Sequence, residues 1–400
     1  MKLRYKVATK EGKISHGLLE AKDAEEAAGY LRGKGFVPIE ISNADDLALA
    51  NIVIFGGVKK SDLILFTRQL SSMLSSGLTL IRALEILKDQ VQNKAMSEVV
   101  SAIIEDVSEG KSFAKAIEKH PKIFSQIYVS IIKAGEASGL LDKALSRLAD
   151  NLEKQAKLRA TIKSALLYPA IVVLLMIIVM VVMMIYVIPQ LSVLYKNLNV
   201  QLPLPTRIVV GLSDFIINGW PIVLAATVII IFLYKRWSKT PNGRSIIDST
   251  ALRLPVFGKL IKESILAEFS RTLGLLIGTG TLVVEALTET ADTTGNVHYR
   301  YAILDVCKRV EKGVSVGDAL SASPLFPSLL IQLVKVGEQT GKIDETLLRA
   351  SEYFEREVDE TVKTLTTAME PFIMVFLGIS VGFLIISVIT PIYTLITSIQ

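Results

Sequence analysis

The sequence predicts a mainly α integral membrane protein, with two tandem six-helix-type cytoplasmic bundles, three transmembrane helices and a small N-terminal α+β unit. Three observations predict it. Half of the 400 residues are hydrophobic and 21% are charged, against roughly 25% charged in an average soluble domain. The apolar residues gather in three charge-free runs. Outside them, the chain repeats itself at a spacing of 202 to 203 residues.

The N-terminal stretch comes first. Arg4–Thr9 and Ile14–Glu20 alternate loosely around a turn at Glu11-Gly12, Asp23–Lys34 has a helical pattern that Gly35 stops, and Phe36–Ile41 reads as a third strand. Met1–Glu20 is polar and lacks the apolar region of a signal peptide, so insertion is expected through internal spans.

The next segment is helical. Ser61 is placed to cap a helix running to Ser76, whose apolar face holds Leu63, Phe66, Leu70, Met73 and Leu74. Gly77 ends it and Thr79 opens the next. Gly110, Ser112, Pro121 and Gly139 punctuate the remainder, giving about six helices, the last running from about Leu141 toward the first apolar run.

That run, Ser164–Tyr195, has 32 residues without a charge, and a helix crossing a bilayer needs only about 20. A second run covers Phe215–Tyr234 and a third covers Pro371–Gln400. Gly378 and Gly382 lie four apart in the third, a spacing that lets membrane helices approach closely. Lys154, Lys157, Arg159 and Lys163 precede the first run, and Lys235, Arg236, Lys239 and Arg244 come after the second; between residues 189 and 206 the only charge is Lys196. Basic flanks face the cytoplasm, so the N-terminus is expected inside and the C-terminus outside. The net charge of +5 thus reads as an orientation signal and not as one for nucleic acid.

The repeat joins these pieces. Phe66-Thr67-Arg68-Gln69-Leu70 recurs as Phe269-Ser270-Arg271-Thr272-Leu273, and Lys133-Ala134-Gly135-Glu136-Ala137-Ser138-Gly139 recurs as Lys335-Val336-Gly337-Glu338-Gln339-Thr340-Gly341. Asp142 and Leu145 match Asp344 and Leu347, and Pro169 and Pro189 match Pro371 and Pro391. The first block repeats at 203 and the later ones at 202, so one residue has been lost between them. Each copy is a bundle with a span after it, and an added helix must return the chain inside before the second copy. The repeats are therefore parallel, unlike the inverted repeats of many transporters.

The expected boundaries are an N-terminal unit at 1–42, a linker at 43–60, a first bundle at 61–163, a span at 164–190 and an external loop at 191–214. A second span at 215–234, a second bundle at 235–369, a third span at 370–394 and an external tail at 395–400 complete the chain.

Catalytic and metal-binding patterns are weak. Glu109-Gly110-Lys111-Ser112 looks like the end of a phosphate-binding loop, but Glu105 stands where its first glycine belongs and a helix precedes it. His16, His120 and His298 lack metal spacing. Cys307 has no intrachain disulfide partner and reads as a small core residue. No enzymatic activity and no cofactor are expected. In the repeated Gly-Glu segments, Gly139 and Gly341 fit helix ends, and Asp142 and Asp344 fit the first turn of the next helix, where the dipole favours a carboxylate. Glu136 and Glu338 fit packing and capping, a partner contact, or a divalent metal. Arg68 and Arg271, set in apolar stripes, fit a buried salt bridge. Glu355, Glu357, Asp359 and Glu360 fit a solvated helix face or a contact with a basic partner.

These repeated blocks, with Tyr168-Pro169 and Glu370-Pro371 entering spans and the segments Leu202–Arg207 and Leu254–Gly258, resemble the type II secretion F-domain family. Its members are the inner-membrane platform proteins of type IV pilus and type II secretion machines. The resemblance covers nearly the whole chain, and Phe55–Leu70 resembles the pilus branch more. It implies a platform in the cytoplasmic membrane, contacting a hexameric assembly ATPase, pilin or pseudopilin subunits and other inner-membrane components, and forming a homo-oligomer. A small-molecule transporter would need polar groups at mid-membrane, and away from their ends the first and third runs offer only Ser380 and Ser387.

Overall fold

In a computed structural model of the chain, the structure describes residues 2–8, 14–21, 24–43, 57–187, 189–190, 193, 207, 210–211, 215, 219–255 and 257–399. The expected linker at 43–60 and external loop at 191–214 fall largely outside them.

Strand β1 (Lys2–Ala8) lies between β2 (Ile14–Glu20) and β3 (Val37–Asn43), antiparallel to both. Helix α1 (Ala24–Gly33) packs against β3, with Ala27 and Leu31 buried. Gly35 has φ of 83°, the left-handed conformation that a residue without Cβ adopts freely.

The first bundle contains α2 (Lys60–Ser75), α3 (Leu80–Gln90), α4 (Lys94–Ser108), α5 (Phe113–Glu118), α6 (Gln126–Ala137) and α7 (Leu141–Val182). The expected Ser61 cap is corrected. Lys59 is the cap position, and the Asp62 carboxylate accepts the Lys59 N–H at 3.0 Å. This is the reverse half of a capping box, in which the acid three residues into the helix accepts from the cap residue's own N–H. Asn93 and Ser112 cap α4 and α5 with their side chains.

Helix α8 (Trp220–Trp237) covers most of the second apolar run, and its described side chains are exposed. After it come α9 (Pro241–Arg253), α10 (Phe257–Gly278), α11 (Val283–Thr293), α12 (Val297–Glu311), α13 (Val316–Ser321), α14 (Ser328–Thr340) and α15 (Ile343–Ile399). Helices α10 to α15 repeat the order of α2 to α7. Phe113 matches Val316 at 203 and Phe124 matches Phe326 at 202, with Pro121 and Pro324 still 203 apart. The missing residue therefore lies after Pro121, in the turn before α6, where shortening disturbs no helix.

The two bundle cores merge into one apolar cluster. Phe66, Leu84, Phe124 and Ile132 belong to the first part, and Phe269, Leu287, Phe326 and Val334 to the second. Nearer the membrane, Leu158 of α7 meets Leu260 of α10 and Val358, Val362 and Leu365 of α15 in a second cluster. The last helix of each bundle runs on as an apolar helix. Leu141–Val187, ending in a π-helical turn at Met183–Val187, and Ile343–Gly382 are both long and apolar enough to cross a membrane. Val172, Met176 and Met180 of the first and Leu377 and Val381 of the second line one apolar cavity of about 290 Å³ between them. A Cβ at Gly378 or Gly382 would meet nothing within 4 Å, so neither glycine lies at a contact between described helices.

Gly135 and Gly337 differ from that pair. A Cβ at Gly135 would clash with the Cβ of Ala144, and one at Gly337 with Oγ1 of Thr346. Each is the point where the fifth helix of a bundle crosses the sixth. Gly135→Ala and Gly337→Ala are each expected to lower stability by about 1–3 kcal/mol through overpacking, read as a fall in melting temperature of the detergent-solubilised protein. Gly378→Ala is expected to leave it unchanged.

Candidate functional site at the seam between the repeats

The repeated Gly-Glu segments close the same local circuit twice. Glu136 on α6 accepts the backbone N–H groups of Phe113 at 2.7 Å and Ala114 at 3.0 Å. Glu338 on α14 accepts those of Val316 at 2.9 Å and Gly317 at 3.2 Å. A short helix leaves its first N–H groups without internal partners, and a carboxylate from a neighbouring helix supplies two charge-assisted bonds to them. Gly139 and Gly341 then take left-handed φ values of 71° and 69°, and Asp142 and Asp344 enter the first turns of α7 and α15. Among the described residues, no three His, Cys, Asp or Glu side chains form a metal-binding cluster.

The repeated arginines diverge. Arg68 is bound by two carboxylates of α7, Asp150 at 2.5 Å and Glu153 at 2.7 Å. It is about one-third exposed, so the expected buried bridge is corrected to a half-exposed one; its acidic partners stand on the outer face of α7. The hydrogen bonds it donates to Glu153 and Asp150 push the Arg68 guanidinium above its ordinary value, and solvent limits such pairs to about 0.2–1 kcal/mol. Arg271 is buried at 3% exposure. Glu355 lies 3.4 Å away, near enough to balance charge, but none of the three guanidinium nitrogens has a hydrogen-bond partner among the described residues. Burial pushes its pKa below the ordinary value against the pull of Glu355 and Glu268. The core shows the same divergence. Thr67 hydrogen-bonds Tyr128 at 3.1 Å, whereas the equivalent Ser270 hydroxyl is buried without a partner among the described residues, and Leu330 stands at the position of Tyr128.

Contacts between the two repeats are not legible in the sequence, because they pair positions that do not correspond. Ser130 donates to Glu289 at 2.6 Å, Arg147 to the Gly278 carbonyl at 2.6 Å, and Gln155 to Glu268 at 2.5 Å. Lys154 pairs with Glu352 at 3.1 Å. The first repeat contributes donors and the second acceptors, so the seam is polar around its apolar centre. Arg147, Asp150, Lys154, Arg271, Asp344 and Glu345 line a seam cavity of about 240 Å³. Of the acidic stretch, Glu355 faces Arg271, and Glu357 lies 3.6 Å from Lys259.

Residues 66–189 and 269–391 each match the family described as type II secretion system (T2SS), protein F. The chain belongs to that family and carries two copies of its domain. Among its relatives is a type IV pilus assembly protein PilC of Thermus thermophilus, 37% identical over 397 residues and covering 98% of both chains. The type IV pilus assembly protein TapC of Aeromonas hydrophila is 33% identical over 98% of this chain and 95% of its own. A type II secretion system protein F of Xanthomonas campestris is 29% identical over 98% of each.

Two outcomes are expected from this geometry. Glu136→Ala leaves two amides without an acceptor and is expected to cost about 1–3 kcal/mol, read as a lower melting temperature. Unchanged melting would refute the clasp. Burial also pushes the Glu289 carboxyl upward, with Glu285 adding to it and Ser130 and Lys133 opposing. Its folded pKa lies above its unfolded one, so its contribution is fully present below the unfolded value and is lost as pH rises through the folded one. Over that window the melting temperature of the wild type should fall with pH more steeply than that of Glu289→Gln.

Proposed function

We propose that this chain is the inner-membrane platform of a type IV pilus assembly machine, coupling a cytoplasmic hexameric ATPase to pilin insertion and extraction at the base of the fibre. The observation that carries the reading is the near end-to-end match to relatives named as type IV pilus assembly proteins, closer at 37% and 33% than the 29% match to a type II secretion protein F. A role as the platform of a type II secretion machine, acting on pseudopilins, is the second reading and rests on the latter relative.

The architecture supports a mechanical and non-enzymatic part. In α7 and α15 a helix of the bundle core continues without a break into an apolar segment. At 1.5 Å per residue, α15 is roughly 85 Å long. A force applied to either bundle reaches the apolar segment through one helix, whose hydrogen-bond ladder lacks only the donors of Pro169 in α7 and of Pro371 and Pro391 in α15. In this reading, residues 1–42, 61–163 and 235–369 are cytoplasmic, and residues 164–190, 215–234 and 370–394 cross the inner membrane. The N-terminus is cytoplasmic, the C-terminus is external, and the protein is a homo-oligomer. Gly378 and Gly382 then offer an open strip to another membrane helix. The surfaces around the Gly-Glu segments are candidates for ATPase contact, since Glu338 is exposed even as it holds α13.

Deletion in the native host is expected to abolish surface pili and twitching and to leave exoprotein secretion intact; a secretion-defective strain with normal pili would favour the second reading. Photocrosslinkers in the two cytoplasmic bundles are expected to capture the ATPase. Absence of capture from both would refute the coupling.

A further inference from the structure

The two repeats hold the same three charges in different arrangements. Arg68, Asp150 and Glu153 of the first correspond to Arg271, Glu352 and Glu355 of the second. In the first repeat both acids bind the arginine. In the second, the position of Asp150 is occupied by Glu352, which turns away to Lys154 of the first repeat at 3.1 Å. Arg271 is left with Glu355 at 3.4 Å, and that carboxylate also accepts the Ser351 hydroxyl at 3.0 Å. Reach is not the obstacle, because glutamate is one methylene longer than the aspartate that reaches Arg68 from the equivalent position.

We propose that Glu352 is a shared carboxylate that exchanges between Lys154 across the seam and Arg271 in its own repeat, so that release of the seam is matched by hydrogen bonding to a buried guanidinium. The first repeat displays the counterpart of the Arg271-bound arrangement, with Asp150 on Arg68, and the second displays the seam-bound one. The exchange is balanced by physics on each side. The Lys154–Glu352 pair is half exposed on both partners, and pairs of that kind hold weakly. A buried guanidinium without hydrogen-bond acceptors is unfavourable, and a second carboxylate relieves it. Lys154 and Arg271 line the same cavity of about 240 Å³, and Ser351, the residue before Glu352, lines it too. A free anion is the poorer partner for Arg271, since Asp150, Asp344 and Glu345 line that cavity as well. Two apolar rods meet beyond the seam, so a change of partner here alters how firmly one repeat holds the other. The exchange depends on the fold alone, whichever fibre the protein serves.

The test uses the full-length protein in detergent, with Lys154→Met, Glu352→Gln and the double variant. If Glu352 exchanges, Glu352→Gln lowers the melting temperature at least as much in the Lys154→Met background as in the wild type, because the freed carboxylate has taken Arg271. If Glu352 serves only Lys154, its effect disappears in that background and the proposal is overturned. Amide hydrogen exchange gives a second readout that does not depend on melting. Lys154→Met should speed exchange over residues 147–159 and slow it over 266–276 around Arg271. Faster exchange in both segments, or no change in either, overturns the proposal. Inorganic phosphate should leave the melting temperature unchanged; a rise that Lys154→Met abolishes would assign the cavity to an anion and overturn the exchange.

Discussion

The structure depends on one constraint: the last helix of each bundle belongs to two solvents. Over its first turns, α7 must bury Ala144, Leu145 and Leu148 against the bundle while presenting Lys143, Arg147 and Asp150 outward. Farther along, the same helix turns apolar on every side. Helix α15 repeats the plan, with Leu347, Ala350, Phe354 and Val358 inward and a run without charge beyond Glu370. An amphipathic stripe specifies a helix at a core, and an all-round apolar surface specifies one in lipid. Joining the two within one rod fixes the bundle relative to the apolar segment. That joint helps fix where the seam lies, because α7 also meets α10 and α15 of the second repeat along it.

The duplication has been conservative inside each bundle and permissive between them. The Gly-Glu circuit is kept because three needs meet there: a left-handed turn, a close helix crossing and two orphaned amides. Losing any one disturbs the other two. At the seam no such convergence exists in a single repeat, since its residues acquire partners only when the second copy is present. Leu65 of α2 thus stands exposed where its counterpart Glu268 receives Gln155. Arg271 became buried where Arg68 stayed half open, for the same reason: only the second copy has a neighbour over that face.

Much of this is legible in the sequence. Helix ends at Gly77, Gly110, Gly139 and Gly341 can be read because a left-handed residue is a local requirement, and all four have positive φ. The continuity of α7 can be read because no breaker stands between Leu141 and the apolar run. The membership of the family can be read from blocks that recur at a fixed offset. The partner of Glu136 cannot, because the amides it holds lie 22 and 23 residues earlier, and sequence offers no distance across a turn. The exposure of Arg68 is hidden because its stripe of Leu63, Phe66 and Leu70 looks buried, while the carboxylates that draw it outward sit more than eighty residues away. The seam is least legible of all, since it pairs unlike positions of like units.

The orphaned Ser270 hydroxyl has a consequence of another kind. In the first bundle the corresponding Thr67 has a use for its oxygen, because Tyr128 supplies the partner. In the second bundle Leu330 stands at that position, and the Ser270 hydroxyl is buried with no partner among the described residues. The second bundle therefore holds a buried hydroxyl whose desolvation nothing in the described core offsets, where the first bundle offsets it with a hydrogen bond.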